Sequence, residues 1–358
     1  MENTKELRNW LNAYNLDHPL VIAGPCSAET EEQVVKIATQ LKDTDATVLR
    51  AGIWKPRTRP GNFEGVGALG LKWLQTAKKE TGMLTATEVA NPHHVELALE
   101  HDVDVLWIGA RSTVSPFIVQ DIAEACRGIK QPVLVKNPIN PDLALWLGAV
   151  ERFYTCDVKN LGVIHRGFST YEKTKYRNIP EWQIPIDLQA KFPDLPIILD
   201  PSHIAGRRDI IQDLCQTGLD LNFDGMIIET HYDPDNAWSD AKQQITPETL
   251  VQIMKDLRVR EEKGDDVYKS ALQELRAKID IADENIIQQF AKRMTIADQI
   301  GKVKLDNNVQ ILQNDRWNAI KNKMISEGND LGLSKEFVER VYSAIHQESI
   351  NHQHNVAK

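Results

Sequence analysis

Residues 21–29, VIAGPCSAE, pass from an apolar run through Gly24–Pro25 to a cysteine, Cys26. The apolar half reads as a strand covered on both faces, and the Gly–Pro step ends it. Cys26 then opens a loop, where it is a core filler, a nucleophile or a metal ligand. The same arrangement recurs in TVLRAG (47–52), MLTATEV (83–89), VDVLWIGA (103–110), PVLVKN (132–137), LGVIHRG (161–167), LPIILDPS (195–202) and FDGMIIET (223–230). Helical stretches such as EEQVVKIATQLK and NPHHVELALEH lie between the strands. Eight strands alternating with helices predict an α/β fold, a (β/α)8 TIM barrel over residues 1–256, with an open doubly wound sheet as the alternative.

Beyond LRVREEKGDDVYK (257–269), a charged stretch that reads as a linker, the pattern changes. Leu272, Leu275, Ile279, Ala282, Ile286 and Phe290 recur at steps of three and four, and no proline follows Pro247. A long amphipathic helix is predicted, then two more across 309–327 and 334–350, making a small all-α domain over 270–358 that requires a dimer to be stable.

Composition narrows the function. The chain has 358 residues, 42% of them hydrophobic, and a formal net charge of −9. That charge argues against nucleic acid as a bulk partner. The opening MENTKELRNW has no signal-peptide character, and no apolar run is long enough for a membrane span. Scattered Cys26, Cys126, Cys156 and Cys215 fit a reducing, cytoplasmic setting.

In a (β/α)8 barrel the chemistry sits where strands end. Those ends carry Cys26, Arg50, Glu88, Arg111, Lys136, His165–Arg166, Asp200 with His203, and Glu229. Cys26, His203 and Glu229 come from strands one, seven and eight, adjacent only in a closed barrel, with Asp240 in the loop beyond. A thiolate, an imidazole and two carboxylates suit Mn²⁺, Fe²⁺, Co²⁺ or Zn²⁺ better than Mg²⁺. Arg50, Lys55, Arg57, Arg111, Lys136 and Arg166 make a cationic cluster suited to phosphates and carboxylates. Each of these residues alone also has an ordinary structural reading.

AGPCSAE, RAGIWKPRTRPGNFEG, WIGAR, VLVKNP, HRGFSTYE, ILDPSHIAGRRD and DGMIIETHYDPDNAWSDAKQQ together resemble the 3-deoxy-D-arabino-heptulosonate 7-phosphate (DAHP) synthases over about 20–255. The resemblance implies condensation of phosphoenolpyruvate with erythrose 4-phosphate, the first step of the shikimate pathway. By motif, Cys26, His203, Glu229 and Asp240 would hold one divalent metal, Mn²⁺ first among the candidates. Arg50, Lys55, Glu88, Arg111, Lys136 and Arg166 would hold phosphoenolpyruvate. Lys55, Pro56, Arg57, Thr58 and Asp240 would hold the aldose phosphate, with Lys55, His203 and Cys26 counted as catalytic. The 3-deoxy-octulosonate 8-phosphate synthases, which share the barrel and phosphoenolpyruvate, are the runner-up. The short segment before strand one implies that the N-terminal regulatory domain of some relatives is missing.

On the long helix Arg293 and Lys304 are eleven residues apart, which returns them to nearly one face. Arg276 lies too far along the helix to join them within one chain, and a solvated face is the plainer reading of all three. LRAKIDIADENIIQQFAKRMTIADQIGKVK, DR at 315–316 and IHQESINHQ (345–353) are similar to the all-helical chorismate mutases. That resemblance implies a metal-free rearrangement of chorismate to prephenate at a site spanning a homodimer. Arg276 would come from one subunit and Arg293, Lys304, Arg316, Ser349 and Gln353 from the other; Arg293, Lys304 and Gln353 would be catalytic. Trp317 and Gln313 depart from the family, which usually has acidic residues there. The competing reading keeps the synthase and makes the helical domain a non-catalytic sensor. A further expectation is that chorismate or prephenate bound to the helical domain inhibits the synthase by helping that domain cover the barrel mouth.

Overall fold

A computed structural model describes residues 5–56, 61, 63–171, 174–260 and 266–356. Eight parallel strands pair in chain order: β1 (Leu20–Gly24), β2 (Val48–Arg50), β3 (Leu84–Val89), β4 (Val105–Ile108), β5 (Val133–Lys136), β6 (Leu161–His165), β7 (Ile197–Leu199) and β8 (Gly225–Glu229). β8 returns to β1 from Leu20↔Gly225 to Gly24↔Glu229, so the sheet is a closed barrel and not an open doubly wound sheet. The principal helix after each strand is α1 (Glu31–Leu41), α2 (Leu69–Thr81), α3 (Pro92–Glu100), α4 (Pro116–Ala125), α5 (Leu143–Thr155), α6 (Gln183–Lys191), α7 (Ile211–Asp220) and α8 (Pro247–Asp256). The Thr30, Asn91, Asp142 and Thr246 side chains accept from the first turns of α1, α3, α5 and α8, contributing about 1 kcal/mol each.

Strand parity sorts the two cores. Leu20, Ile22, Val48, Ala86, Val105, Leu134, Ile164, Ile198 and Ile227 fill the barrel interior with Trp107. Trp10 joins them from the N-terminal segment, its indole N–H donating to the Leu161 carbonyl at 2.9 Å. Their neighbours Val21, Leu49, Leu106, Val133, Val163 and Ile228 pack outward against the helices. Because side chains alternate faces, the next inward position after Val48 is Arg50. After Ala86 it is Glu88; after Leu134, Ile164, Ile198 and Ile227 it is Lys136, Arg166, Asp200 and Glu229. The polar residues thus form the uppermost layer of the interior. Two glycines make that layer fit. A Cβ on Gly24 (φ +148°) would lie 2.1 Å from the Arg50 carbonyl oxygen, and one on Gly109 would lie 2.2 Å from Glu88 Oε1.

His165 is one step out of this parity and leaves the site. It is buried outside the sheet against Trp182, Phe168, Phe223 and Trp146, with ring centroids 5.4–6.3 Å away. Burial first, then Arg166 nearby, lowers its pKa from 6.5 to about 3. The unfolded chain takes up a proton that the folded barrel excludes, so this contribution is complete above pH 6.5 and fades as pH falls toward 3. The urea midpoint of the barrel should therefore drop on acidification from pH 7 to 4, and drop less in His165→Phe. Equal slopes for both proteins would show that His165 contributes nothing to acid sensitivity.

The chain divides into two compact units, Met1–Arg260 and Glu261–Lys358. The second consists of α9 (Asp266–Asp306), α10 (Asn314–Asp330) and α11 (Lys335–Val356). The first helix is longer than its apolar repeat suggests. Of the stretch read as a linker, 261–265 lies outside the described residues and 266–269 belongs to α9.

Candidate functional sites

The top of the barrel encloses a cavity of about 90 Å³ lined by Lys55, Pro56, Glu88, Ala110, Arg111, Lys136, Arg166, Arg177, His203 and Asp240. Below it, one donor atom each from Cys26, Glu229 and Asp240 lie within 4.8 Å of one another. His203 Nε2 lies 3.8 Å from Glu229 Oε1, so the fourth expected ligand stands beside the group. Cys26 is completely buried. Burial, then Glu229, pushes its thiol up to about 12, which makes it a poor nucleophile. The Cys26 thiol donates to Asp240 Oδ2 at 3.3 Å, and a divalent cation that displaced this proton would find three donors already gathered around it. The set fits a divalent metal with affinity for sulfur, nitrogen and oxygen.

The surrounding hydrogen bonds fix these groups. Asp200 lies between His203 Nδ1 (2.9 Å) and the Lys136 ammonium (2.8 Å). Burial would raise its carboxyl, but His203 and Lys136 hold it well below the usual carboxylate range. With Nδ1 engaged, His203 keeps Nε2 for the cluster, as ligand histidines generally do. Arg50 donates to Glu229 at 3.2 Å and to the Cys26 carbonyl at 2.8 Å. Lys55 Nζ donates to that same carbonyl and approaches Cys26 Sγ, each at 2.9 Å. Glu229 is lowered by His203, Arg50 and Lys55 against its burial. Asp240 is lowered by Arg177, His203 and Lys55, again against burial.

Not every expected cation faces the cavity. Arg50 is 2% exposed, paired with Glu229, and stands 5.0 Å over the Trp107 ring. Lys136 also carries a buried carboxylate partner, so the mutual repulsion expected of six cations is partly relieved by the protein itself. Arg111, Lys136 and Arg166 do line one wall. Glu88 accepts from the Trp107 indole at 3.0 Å, and its second oxygen has no hydrogen-bond partner among the described residues. Arg57 and Thr58 lie outside the described residues. Two residues outside the expected set enter the site. Arg177, from the long loop after β6, donates to Asp240 Oδ1 at 3.0 Å and to Gln243 at 2.6 Å. Gln243 in turn donates to Glu229 Oε2 at 2.6 Å. The one hint was the basic character of KTKYRN.

The helical unit holds a larger cavity, about 400 Å³, between α9, α10 and α11. Arg293, Lys304, Arg316, Ser349 and Gln353 all line it, with an apolar wall of Ile296, Ile300, Ile311 and Ile320. Arg293 donates to the Ser349 hydroxyl, and Lys304 to the Ile311 carbonyl. The Gln353 carbonyl oxygen is buried with no hydrogen-bond partner among the described residues, so it can accept from a donor on a ligand. Arg276 is exposed on α9 and does not line this cavity. The departures Gln313 and Trp317 both do. Trp317 stacks on His346, which sequence reasoning missed, at 4.0 Å and 18°. Partial burial, then Arg293 and Lys304, lowers the His346 pKa.

Comparison with known proteins finds a family for each of the two units. Residues 14–263 match the model of the DAHP synthetase I family, and 275–354 match that of chorismate mutase type II. A phospho-2-dehydro-3-deoxyheptonate aldolase of Thermotoga maritima is 31% identical over 238 residues, 66% of this chain and 68% of that protein. A 2-dehydro-3-deoxyphosphooctonate aldolase of Thioalkalivibrio sulfidiphilus is 27% identical over 71% of this chain and 93% of its own length. The crystal structure of the Thermotoga maritima DAHP synthase superposes with a TM-score of 0.60 at 30% identity, over 66% of this chain and 67% of that one. No helix among the described residues is long and apolar enough to cross a membrane. The chain belongs to the DAHP synthetase I family and carries a chorismate mutase type II domain after its barrel, which makes it a bifunctional enzyme.

Proposed function

We propose that the barrel condenses phosphoenolpyruvate with erythrose 4-phosphate in a reaction that depends on a divalent metal held by Cys26, His203, Glu229 and Asp240. The observation that carries this is the sulfur–carboxylate cluster lying directly against a cavity walled by Arg111, Lys136 and Arg166. Those three cations, with Lys55, grip the carboxylate and phosphate of phosphoenolpyruvate. Carbon three of the enol attacks the aldehyde carbon, water adds at carbon two, and phosphate leaves with cleavage of its C–O bond. The metal, when bound, supplies Lewis acidity toward the aldehyde oxygen or the water. Lys55 contributes a fixed ammonium beside Cys26, so charge building on that oxygen meets a cation that is already oriented. Pro56, Arg57, Thr58 and Asp240 would receive the aldose phosphate, and Arg50 and Glu88 shape the floor beneath phosphoenolpyruvate. Assay with erythrose 4-phosphate against arabinose 5-phosphate separates this reading from the 3-deoxy-octulosonate 8-phosphate alternative.

The helical unit rearranges chorismate to prephenate without metal. Arg293 and Arg316 clamp the two substrate carboxylates, while Lys304 and Gln353 donate where charge builds at the ether oxygen. Ser349, already bonded to Arg293, completes the grip. The unit works as a homodimer that brings Arg276 from the partner. Support comes from the exposed Leu275, Ile279, Ile281, Ile286 and Ile287 on α9, a surface whose contact with water a second copy would remove. A direct chorismate-to-prephenate assay distinguishes this from a non-catalytic sensor.

Chorismate or prephenate in the helical unit also inhibits the synthase. The supporting consideration is the chemistry of the fusion: a site for late intermediates shares a chain with the enzyme that starts their synthesis, and binding coupling is reciprocal. Titrating prephenate against the full chain and against a form truncated after Arg258 should inhibit only the former. An equal response in both, or none in either, would sink the reading.

A further inference from the structure

Asp240 has a left-handed backbone, φ +47° and ψ +35°, which a non-glycine residue keeps only where its surroundings impose it. Its carboxylate is held from one side by Arg177, at 3.0 Å. What holds its backbone is a separate set of contacts, between the loop after β8 and the loop after β1. Glu29, three residues beyond Cys26 and 7% exposed, accepts through Oε1 from the Trp238 N–H at 2.7 Å. Its other oxygen lies 3.7 Å from Nε2 of His231, a ring buried to 2% exposure. The Asp233 N–H donates to His231 Nδ1 at 2.9 Å, which leaves the ring hydrogen on Nε2, an atom with no hydrogen-bond partner among the described residues that faces the Glu29 carboxylate across 3.7 Å. The carboxylate thus attracts both ends of the segment 231–238 that leads into Asp240. The Ser27 and Ser239 hydroxyls meet one step further on, and Gln244 bonds the Cys26 N–H and the Ser239 carbonyl at 2.9 and 2.8 Å.

We infer that Glu29 is a positioning residue for Asp240: through the Trp238 N–H and His231 it pins the loop after β8 to the loop that carries Cys26, and so sets the separation of two donors of the cluster. The inference rests on the reading of that cluster as a divalent-metal site. Glu29 touches neither the cavity nor the three clustered donors, so its effect is transmitted through the backbone. A buried carboxylate bonded to a main-chain N–H is well suited to this, because a charge-assisted hydrogen bond is short and directional. The contact survives neither loss of the acceptor nor a shift of the loop.

The test is equilibrium titration of Mn²⁺ into the full-length protein, with free Mn²⁺ read by electron paramagnetic resonance. Wild type should bind one ion and Cys26→Ser should lose it. Glu29→Ala should raise the Mn²⁺ dissociation constant roughly 10–100-fold, the range found when groups supporting metal ligands are removed. Synthase kcat should recover at saturating Mn²⁺, and mutase activity should be unchanged. Glu29→Gln keeps an oxygen for Trp238 but removes the charge, so its dissociation constant should fall between the two; it carries the test if the alanine variant does not fold. A folded Glu29→Ala or Glu29→Gln protein with the wild-type dissociation constant overturns the inference alone. Failure of wild type to bind Mn²⁺ overturns the metal reading and the inference with it.

Discussion

Chelation of divalent metal should abolish the synthase and leave the mutase untouched, and Cys26→Ser should do the same by mutation. The two sites differ in kind: one is a sulfur–carboxylate cluster, the other a cationic pocket with an apolar wall. Lewis-acid stabilisation is worth several kcal/mol, so its loss should cost the barrel on the order of 10³-fold in kcat/KM. Mn²⁺, Fe²⁺ or Co²⁺ should restore activity more readily than Mg²⁺, because the thiolate disfavours the harder ion. Serine offers a similar shape without that soft donor, and the buried pair of Arg50 with Glu229 stays in place. Full synthase activity in the serine variant, or survival of the synthase in excess chelator, would remove Cys26 from the ligand set.

The second large effect concerns the helical unit. Arg293→Ala and Arg276→Ala should each lower mutase kcat/KM by roughly 10²–10³-fold, the usual loss when one preorganised donor is removed. The synthase should be unaffected at saturating metal. Arg293 lines the cavity beside Ser349, whereas Arg276 is exposed on α9 and outside that cavity. If Arg276 serves the partner's site, mixing the two inactive proteins should restore activity. Random exchange makes half the dimers mixed, each with one intact site of two, giving about a quarter of the wild-type rate. No recovery despite demonstrated subunit exchange would place Arg276 outside the site. The stacked Trp317 and His346 occupy the wall where the family usually carries an acidic side chain, so KM for chorismate is where this mutase should differ from its relatives.

The barrel was legible in the sequence because a buried parallel strand writes itself locally. Apolar runs of the right length, most of them ended by a charged residue, need no knowledge of their neighbours. Alternation even assigns the inward positions, so Arg50, Glu88, Lys136, Arg166, Asp200 and Glu229 could be placed on one layer from β2, β3 and β5–β8 alone. His165 shows the limit of reading strand ends without parity: adjacent to Arg166 in sequence, it faces the opposite core. In the helical unit the fixed pitch of an α-helix put Arg293 and Lys304 on one face, but a solvated face was the plainer reading of that spacing, and the expectation of a site there came from the resemblance.

Local pattern thus specifies the set of elements, the faces of those elements, and the kinds of side chain at the barrel mouth. Tertiary structure alone decided who pairs with whom. Closure of β8 on β1 brings Glu229 to Arg50, 179 residues apart, a pairing that no local pattern announces. The path of the loop after β6 delivers Arg177 to Asp240, and the loop after β8 delivers Trp238 to Glu29. Loops have no period from which a partner can be read, and a contact between two of them depends on the closed barrel that carries both. In a buried, low-dielectric layer each charge must find its counterpart, and only the folded chain settles which ones meet.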